Sequence, residues 1–206
     1  MTATQAMYLV GEFAPGKSIL WHAGASSVSI AGIQLSKADK ASAIYVTAGS
    51  QEKIDFCVKE LGATAGFNYN TQDWAQEILN VTDGKGVDVI IDFVGASYFQ
   101  GNLKAAARDG RIVTLGTLGG TKLPDGVDIA AFLFKRLRFE GSSLRSRDED
   151  YQGKLRNTLA DHALPKMREG KFKILVEKVF PWEQIVEAHQ LMESNQTKGK
   201  IICRID

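Results

Sequence analysis

Cysteine is nearly absent from this chain of 206 residues. Its two cysteines, Cys57 and Cys203, stand far apart, with no CxxC pair and no histidine beside either. That spacing speaks against a disulfide framework and a structural zinc site, and makes a reducing, cytoplasmic setting the default. Histidine is scarce too: His22, His162 and His189 are scattered, so spacing assembles no metal constellation. An excess of one charge sign is also missing. Lys and Arg number 25 against 24 Asp and Glu, a formal charge of +1, which argues against nucleic-acid or membrane-surface binding driven by bulk charge. No apolar run approaches the roughly 18 residues needed to span a bilayer. The opening MTATQAMYLVGEF lacks the basic start and cleavage-like site of a signal peptide. Internal repeats and low-complexity linkers are absent as well.

What is present is an ordinary globular composition, 44% hydrophobic and 24% charged, enough for a sizeable core in one large domain or one domain plus a fragment of another. Apolar, β-rich runs alternate with amphipathic stretches. Strands are expected at Ser18–Ala23, Ala41–Ala48, Gly66–Tyr69, Val87–Val94, Arg111–Leu115 and Leu137–Ser143. Helices are expected at Ser27–Lys37, Gln51–Leu61 (closed by Gly62 as a C-cap), Asp73–Val81 and Tyr98–Ala107. The fourth and fifth strands are almost continuously apolar, as in a parallel sheet covered on both faces. Six strands alternating with helices give an α/β, doubly wound parallel sheet of the Rossmann type, with ligands at the carboxyl ends of the strands. A long helix over Asp150–Gly170, interrupted by Pro165, comes next. Strand Ile174–Phe180, a helix opened by Pro181-Trp-Glu and ending at Glu193, and strand Lys200–Ile205 form a closing β-α-β segment outside the main sheet.

The first strand runs directly into His22-Ala-Gly-Ala-Ser-Ser-Val-Ser-Ile-Ala31. A dinucleotide-binding turn needs small residues here, so that the backbone turns sharply and its N–H groups approach a pyrophosphate at the helix start. Only Gly24 is glycine; Ser26, Ser27 and Ser29 stand where further glycines are usual. A capped strand-to-helix turn with no ligand is the competing reading. The second strand ends Thr47-Ala-Gly-Ser50, with no acid until Glu52 and a cation at Lys53. Enzymes that prefer NAD place a carboxylate at this strand end; here it is missing where it would repel a 2′-phosphate, and Lys53 stands where it could bind one. Tyr69 could flank the same group, while a solvated helix-face lysine is the plainer account of Lys53. Glycines after the fourth and fifth strands, at Gly95 and in Gly116-Thr-Leu-Gly-Gly120, would let backbone and cofactor lie close. The three histidines, Asp92 and Cys57 read as structural or packing residues.

Taken in order, His22-Ala-Gly, Ala31-Gly-Ile-Gln-Leu35, Val46-Thr-Ala-Gly-Ser-Gln51, Ala65-Gly-Phe-Asn-Tyr69, Leu133-Phe-Lys-Arg136, Ser143-Leu-Arg-Ser-Arg-Asp148 and Gly199-Lys-Ile201 resemble the zeta-crystallin-like quinone oxidoreductases of the medium-chain dehydrogenase/reductase superfamily. The resemblance runs along essentially the whole chain. It implies an NADPH-dependent, zinc-free enzyme passing hydride to a quinone or a related activated alkene or carbonyl, with no strong side-chain acid or base. Thr2, Ala25, Ser26, Ser27, Val28, Ser50, Lys53, Tyr69, Val94, Leu115, Gly116, Ser143, Leu144 and Arg145 would contact the cofactor: Ala25 to Ser29 at the pyrophosphate, Ser50, Lys53 and Tyr69 at the 2′-phosphate, and the rest along ribose and nicotinamide. The sequence departs from the family pattern at Ser27 and Ser29, both normally glycine.

The same resemblance divides the chain. Residues 1–17 would be a helix leading out of a catalytic, partly β-barrel domain, 18–148 the NADPH-binding domain, 149–170 its long helix, and 171–206 a segment returning to the catalytic domain and therefore exposing apolar surface. A homodimer paired through the sixth strand is a family-level expectation. The competing functions are an enoyl or alkenal reductase of the same superfamily, a non-catalytic NADPH-binding module, and a structural protein with no nucleotide site.

Overall fold

A computed structural model describes residues 1–172, 174–194 and 196–205; Lys173, Asn195 and Asp206, all within the closing segment, lie outside the described residues. Its spine is a six-stranded parallel sheet in the order β3-β2-β1-β4-β5-β6. The strands are β1 (Ser18–Trp21), β2 (Ala43–Ala48), β3 (Ala65–Asn68), β4 (Val87–Asp92), β5 (Ala106–Thr114) and β6 (Arg138–Gly141). The order reverses between β1 and β4, the crevice where doubly wound sheets bind ligands. Around it lie α1 (Thr2–Thr4, continuing as a wider turn over Gln5–Val10), α2 (Ser27–Ala38), α3 (Gln51–Asp55, widening over Phe56–Glu60), α4 (Trp74–Val81), α5 (Phe99–Ala105) and α6 (Ala130–Lys135).

A strand covered on both faces must be apolar in both directions. Ile19, Trp21, Val46, Ile91 and Val113 point into one core with Met7 and Ile33, while Leu20, Tyr45, Ile90 and Ile112 point into the other with Trp74, Ile78 and Leu103. The Trp21 indole lies directly on Gly32 of α2, where an added Cβ would overlap the ring, and its Nε1 donates to Ser36 Oγ at 3.1 Å. Glycine inside a helix costs stability; here it is what lets α2 lie against Trp21, the largest fully buried side chain.

The helix expected over Tyr98–Ala107 stops at Ala105, because Ala106 already pairs with Val87 and the register shifts between Val87 and Val89. Gly86, at φ +81, makes that possible: a Cβ there would stand 2.5 Å from the Ala105 carbonyl. The fourth strand ends at Asp92 rather than Val94, since the Asp92 carboxylate takes the next N–H groups into a turn. Gly62 does close α3, at φ +82, with Ala63 N–H returning to the Cys57 carbonyl at 3.0 Å. The long helix is α7 (Glu149–Thr158), widening over Leu159–Ala163 into α8 (Leu164–Arg168), with Pro165 in the first turn of α8, where no N–H is needed. Asp39, at the end of α2, fastens it through His162 Nε2 (2.8 Å) and Lys166 Nζ (3.0 Å) and also accepts from the Tyr8 hydroxyl. Partial burial opposes charge on Asp39, but the bonds from Tyr8, Lys166 and His162 outweigh it and hold its pKa below the usual carboxylate value. The closing segment is β7 (Val176–Pro181), α9 (Ile185–Glu193) and β8 (Lys200–Arg204), the two strands pairing with each other in parallel, apart from the main sheet. Ile174, Val179, Trp182 and Val186 are exposed on it.

A buried polar seam crosses the carboxyl ends of the central strands. His22 Nδ1 lies 2.9 Å from Thr47 Oγ1 of β2, and Nε2 lies 2.8 Å from Asn102 Oδ1 of α5. Asn102 Nδ2 donates to Asp92 Oδ2 at 3.2 Å, and Asp92 accepts the N–H groups of Val94 (2.7 Å) and Gly95 (3.1 Å). With its amide turned to Asp92, Asn102 presents an acceptor to His22, so Nε2 carries the proton and Nδ1 accepts from Thr47. Trp74 and Tyr98 stand edge-on to the imidazole at 4.7 and 4.8 Å. Burial pushes the His22 pKa down, against the pull of Asp92 and the Asn102 bond.

A Gly32→Ala variant gains helix propensity but overpacks Trp21, an effect of about 1–3 kcal/mol; thermal unfolding is expected at lower temperature, and an unchanged or raised Tm would show that the ring can move aside. The depressed His22 pKa means the unfolded chain binds more protons. Its contribution is thus present above the unfolded histidine value of about 6.5 and lost as pH falls below it. Urea unfolding between about pH 7.5 and 5.5 should show falling stability, a window well above the one in which Asp39 titrates. In His22→Gln that fall should flatten; equal slopes in both proteins would place the pH sensitivity elsewhere.

Candidate functional site

The turn after β1 is tight. Ala23 sits at φ +49, Ser26 N–H donates to its carbonyl at 2.8 Å, and Gly24 N–H donates to Thr47 O at 2.9 Å. Gly24 is packed from below: a Cβ would stand 2.8 Å from Val46 Cβ and 3.1 Å from Cys57 Sγ. Ser26 is the N-cap of α2, its Oγ accepting Ser29 N–H at 3.3 Å. Ser29, a departure from the glycine pattern, faces inward. Its hydroxyl donates to the His22 carbonyl (2.8 Å) and accepts from Ser26 Oγ (3.1 Å), so it fastens the loop to the strand instead of crowding the space above. The first-turn N–H groups that Ser26 leaves, those of Ser27 and Val28, open at the positive end of a 12-residue helix.

Ala25, Ser26 and Ser27 form one side of a cavity of about 350 Å³, with Gly49, Lys53 and Tyr69 beyond them. That volume lies in the range of small-molecule and cofactor sites. Gly49 makes room for Tyr69: a Cβ would stand 2.5 Å from the phenol oxygen. An adjoining cavity of about 560 Å³ is lined by Ser50, Glu52, Lys53, Tyr69 and Asn70. Ser50 caps α3, its Oγ accepting Lys53 N–H at 3.3 Å. The outer walls of both cavities come from the closing segment, through Met192, Thr197, Gly199, Lys200 and Ile201 in the first and Glu177, Gln196 and Lys198 in the second.

A third cavity, about 520 Å³, opens at the ends of β5 and β6 and is lined by Thr114, Leu115, Gly116, Ser142, Ser143 and Arg147 among others. Thr114 Oγ1 and Ser142 Oγ are buried there without a hydrogen-bond partner. Such groups carry a desolvation cost of about 1–3 kcal/mol until a partner arrives.

The structure thus brings Ala25, Ser26, Ser27, Lys53 and Tyr69 to one cavity, Ser50 to the next beside Lys53, and Leu115, Gly116 and Ser143 to the third. Thr2, Val28, Val94, Leu144 and Arg145 line none of these three. The Val28 side chain packs against the core under α2, and Val94 is held in the Asp92 turn. The cavity walls given by the closing segment are not apparent from the sequence; the basic run Thr197-Lys-Gly-Lys200 is the available signal. Cys57 is buried, its thiol pushed up to about 12, which leaves it unreactive. Among the described residues, no group of three or more His, Cys, Asp or Glu side chains could hold a metal ion, and no helix is long and apolar enough to cross a membrane.

Known proteins share this architecture. Over 209 residues the chain is 30% identical to a phenolphthiocerol/phthiocerol polyketide synthase of Mycobacterium tuberculosis, covering 100% of itself but 9% of that protein. A solved NAD-dependent alcohol dehydrogenase is similar at 33% identity and a TM-score of 0.83, over 100% of this chain and 56% of that one. A quinone oxidoreductase from Pseudomonas syringae is similar at 27% identity and a TM-score of 0.83, over 99% of this chain and 61% of that one. The chain therefore spans a small part of the synthase and little more than half of the solved enzymes. The family model described as zinc-binding dehydrogenase matches residues 27–160, from the first turn of α2 into the long helix, and the chain belongs to that family, within the medium-chain dehydrogenase/reductase superfamily.

Proposed function

We propose that this chain is the cofactor-carrying half of an NADPH-dependent oxidoreductase that reduces quinones, of the zeta-crystallin-like type; its motifs resemble those of the tumour-suppressor-inducible quinone oxidoreductase. The observation that carries the cofactor preference is the convergence of Ser50, Lys53 and Tyr69 on one cavity adjoining the one at the start of α2, with no carboxylate at the end of β2 itself and Glu52, which also lines the cavity, paired with Lys198. Such a set suits an adenosine 2′-phosphate, and the open N–H groups of Ser27 and Val28 suit the adjoining pyrophosphate. The fit at the far end is supported by the orphaned hydroxyls of Thr114 and Ser142, which would find partners in the polar edge of a nicotinamide beside Leu115, Gly116 and Ser143.

Bound NADPH would supply the hydride. The protein's part is then to hold and orient: α2 at the pyrophosphate, the β2–α3 corner at the 2′-phosphate, and the ends of β5 and β6 at the ring, on strand ends kept in place by the His22–Asn102–Asp92 seam. Hydride transfer depends chiefly on positioning. The likeness to the Pseudomonas quinone oxidoreductase supports the acceptor class. A family catalytic domain, packed on the apolar face that Ile174, Val179 and Trp182 expose, would supply the other wall of the substrate cleft. Two copies joined along β6 are supported by the exposed Leu133, Phe134 and Phe139 at that edge.

Fluorescence titration of the chain with NADPH and with NADH tests the reading. NADPH should bind ahead of NADH, and Lys53→Ala should weaken NADPH alone by about tenfold or more, the worth of one charge-assisted bond. Equal affinities for the two nucleotides, unaltered in the variant, would remove the basis for the cofactor preference. With a family catalytic domain fused ahead of Met1, turnover of a quinone in preference to an α,β-unsaturated ketone would support the acceptor; the reverse order would favour the enone reductase.

A further inference from the structure

The closing segment puts a second cation at the same corner, and its placement is fixed at several points. Lys198 N–H donates to Glu177 Oε2 of β7 at 2.9 Å. The next residue, Gly199, sits at φ +100, where a Cβ would stand 2.5 Å from the Leu175 carbonyl, and Lys200 N–H donates to that carbonyl at 2.9 Å. The Lys198 ammonium lies 2.6 Å from Glu52 Oε1 at the start of α3 and 5.6 Å from the Phe56 ring centroid. Only 27% of its side chain is exposed, so little rotamer freedom remains to be lost when an anion binds.

Glu52 sets the problem that Lys198 answers. Its carboxylate lines the same cavity as Ser50, Lys53 and Tyr69, where a negative charge opposes a phosphate and could instead accept from a ribose hydroxyl. Glu177 is the other acid of the cavity, and it is engaged by the Lys198 backbone. We propose that Lys198 is a second ligand for an adenosine 2′-phosphate, held by Glu52 until the nucleotide enters, and that this pair sets the preference for NADPH over NADH. Lys198 is a specificity-determining residue in this scheme, contributed from roughly 150 residues along the chain from Lys53. The inference rests on the cofactor reading above.

A two-by-two set of variants of the 206-residue chain decides it, with NADPH and NADH titrated by fluorescence and 2′,5′-ADP used as a displacing probe. Lys198→Ala should weaken NADPH and 2′,5′-ADP about tenfold, about 1.4 kcal/mol, leaving NADH unaltered, and Lys198→Arg should retain the grip. Glu52→Gln should tighten NADPH by releasing Lys198. The double variant should bind NADPH about tenfold more weakly than Glu52→Gln. If Lys198 merely neutralised Glu52, the double variant would match Glu52→Gln, and that result overturns the proposal. So does a Lys198→Ala protein with unaltered nucleotide preference while Lys53→Ala loses it, a pattern that leaves the cofactor reading standing. Failure of every nucleotide to bind would bring down both together.

Discussion

Asp92 is the group on which the ligand-facing end of this fold depends. A carboxylate with 1% exposure survives in a sheet interior only if its oxygens are well supplied with donors, and three neighbours supply them: the Val94 and Gly95 N–H groups and the Asn102 amide. Each of those bonds has a structural effect. The first two end β4 and bend the chain into the turn that faces the crevice. The third orients Asn102, which orients His22, which reaches Thr47 on β2. One buried charge thereby sets the relative positions of β1, β2, β4 and α5 where a cofactor would lie across them. Removing a single member would leave the others with unsatisfied polar atoms, a larger penalty than any one of the bonds is worth.

Above this seam the loop is braced by two serines, of which Ser29 stands where the resemblance implies glycine. Ser29 turns its hydroxyl inward to the His22 carbonyl, and Ser26 caps the helix. Of the two departures from the glycine pattern, Ser27 and Ser29, the second is a brace beneath the loop. Ser27 does face the cavity, so whatever the departure costs in affinity is concentrated at that one side chain.

The sheet was legible in the sequence because parallel strands buried on both faces are nearly continuous apolar runs, as Val89–Ile91 and Ile112–Val113 are. The cap at Gly62 was equally plain. The early start of β5 was not, because it depends on Gly86 packing against Ala105 and Ala106, a contact between separate elements. At the site, small residues after β1 and a cation after β2 are local signals, and they do line cavities. Val94, Leu144 and Arg145 rest on likeness alone and line none of the three. The walls given by Lys198, Gly199 and Lys200 were hidden for a simple reason: a strand remote in sequence carries no periodicity that says which corner of the sheet it will cover.

The closing segment covers the corner lined by Ser50, Lys53 and Tyr69, and among the described residues it gives the cores beneath the six-stranded sheet Phe172 and the half-buried Leu175. The outer wall of that corner and the core beneath it are therefore supplied by different stretches of chain. Within that wall Gln196, Thr197 and Lys198 present side chains to the cavities, whereas Gly199, at φ +100 against the Leu175 carbonyl, admits no other side chain without strain. The charge at this corner can therefore change through Gln196 to Lys198 while the crevice between β1 and β4 is left as it stands.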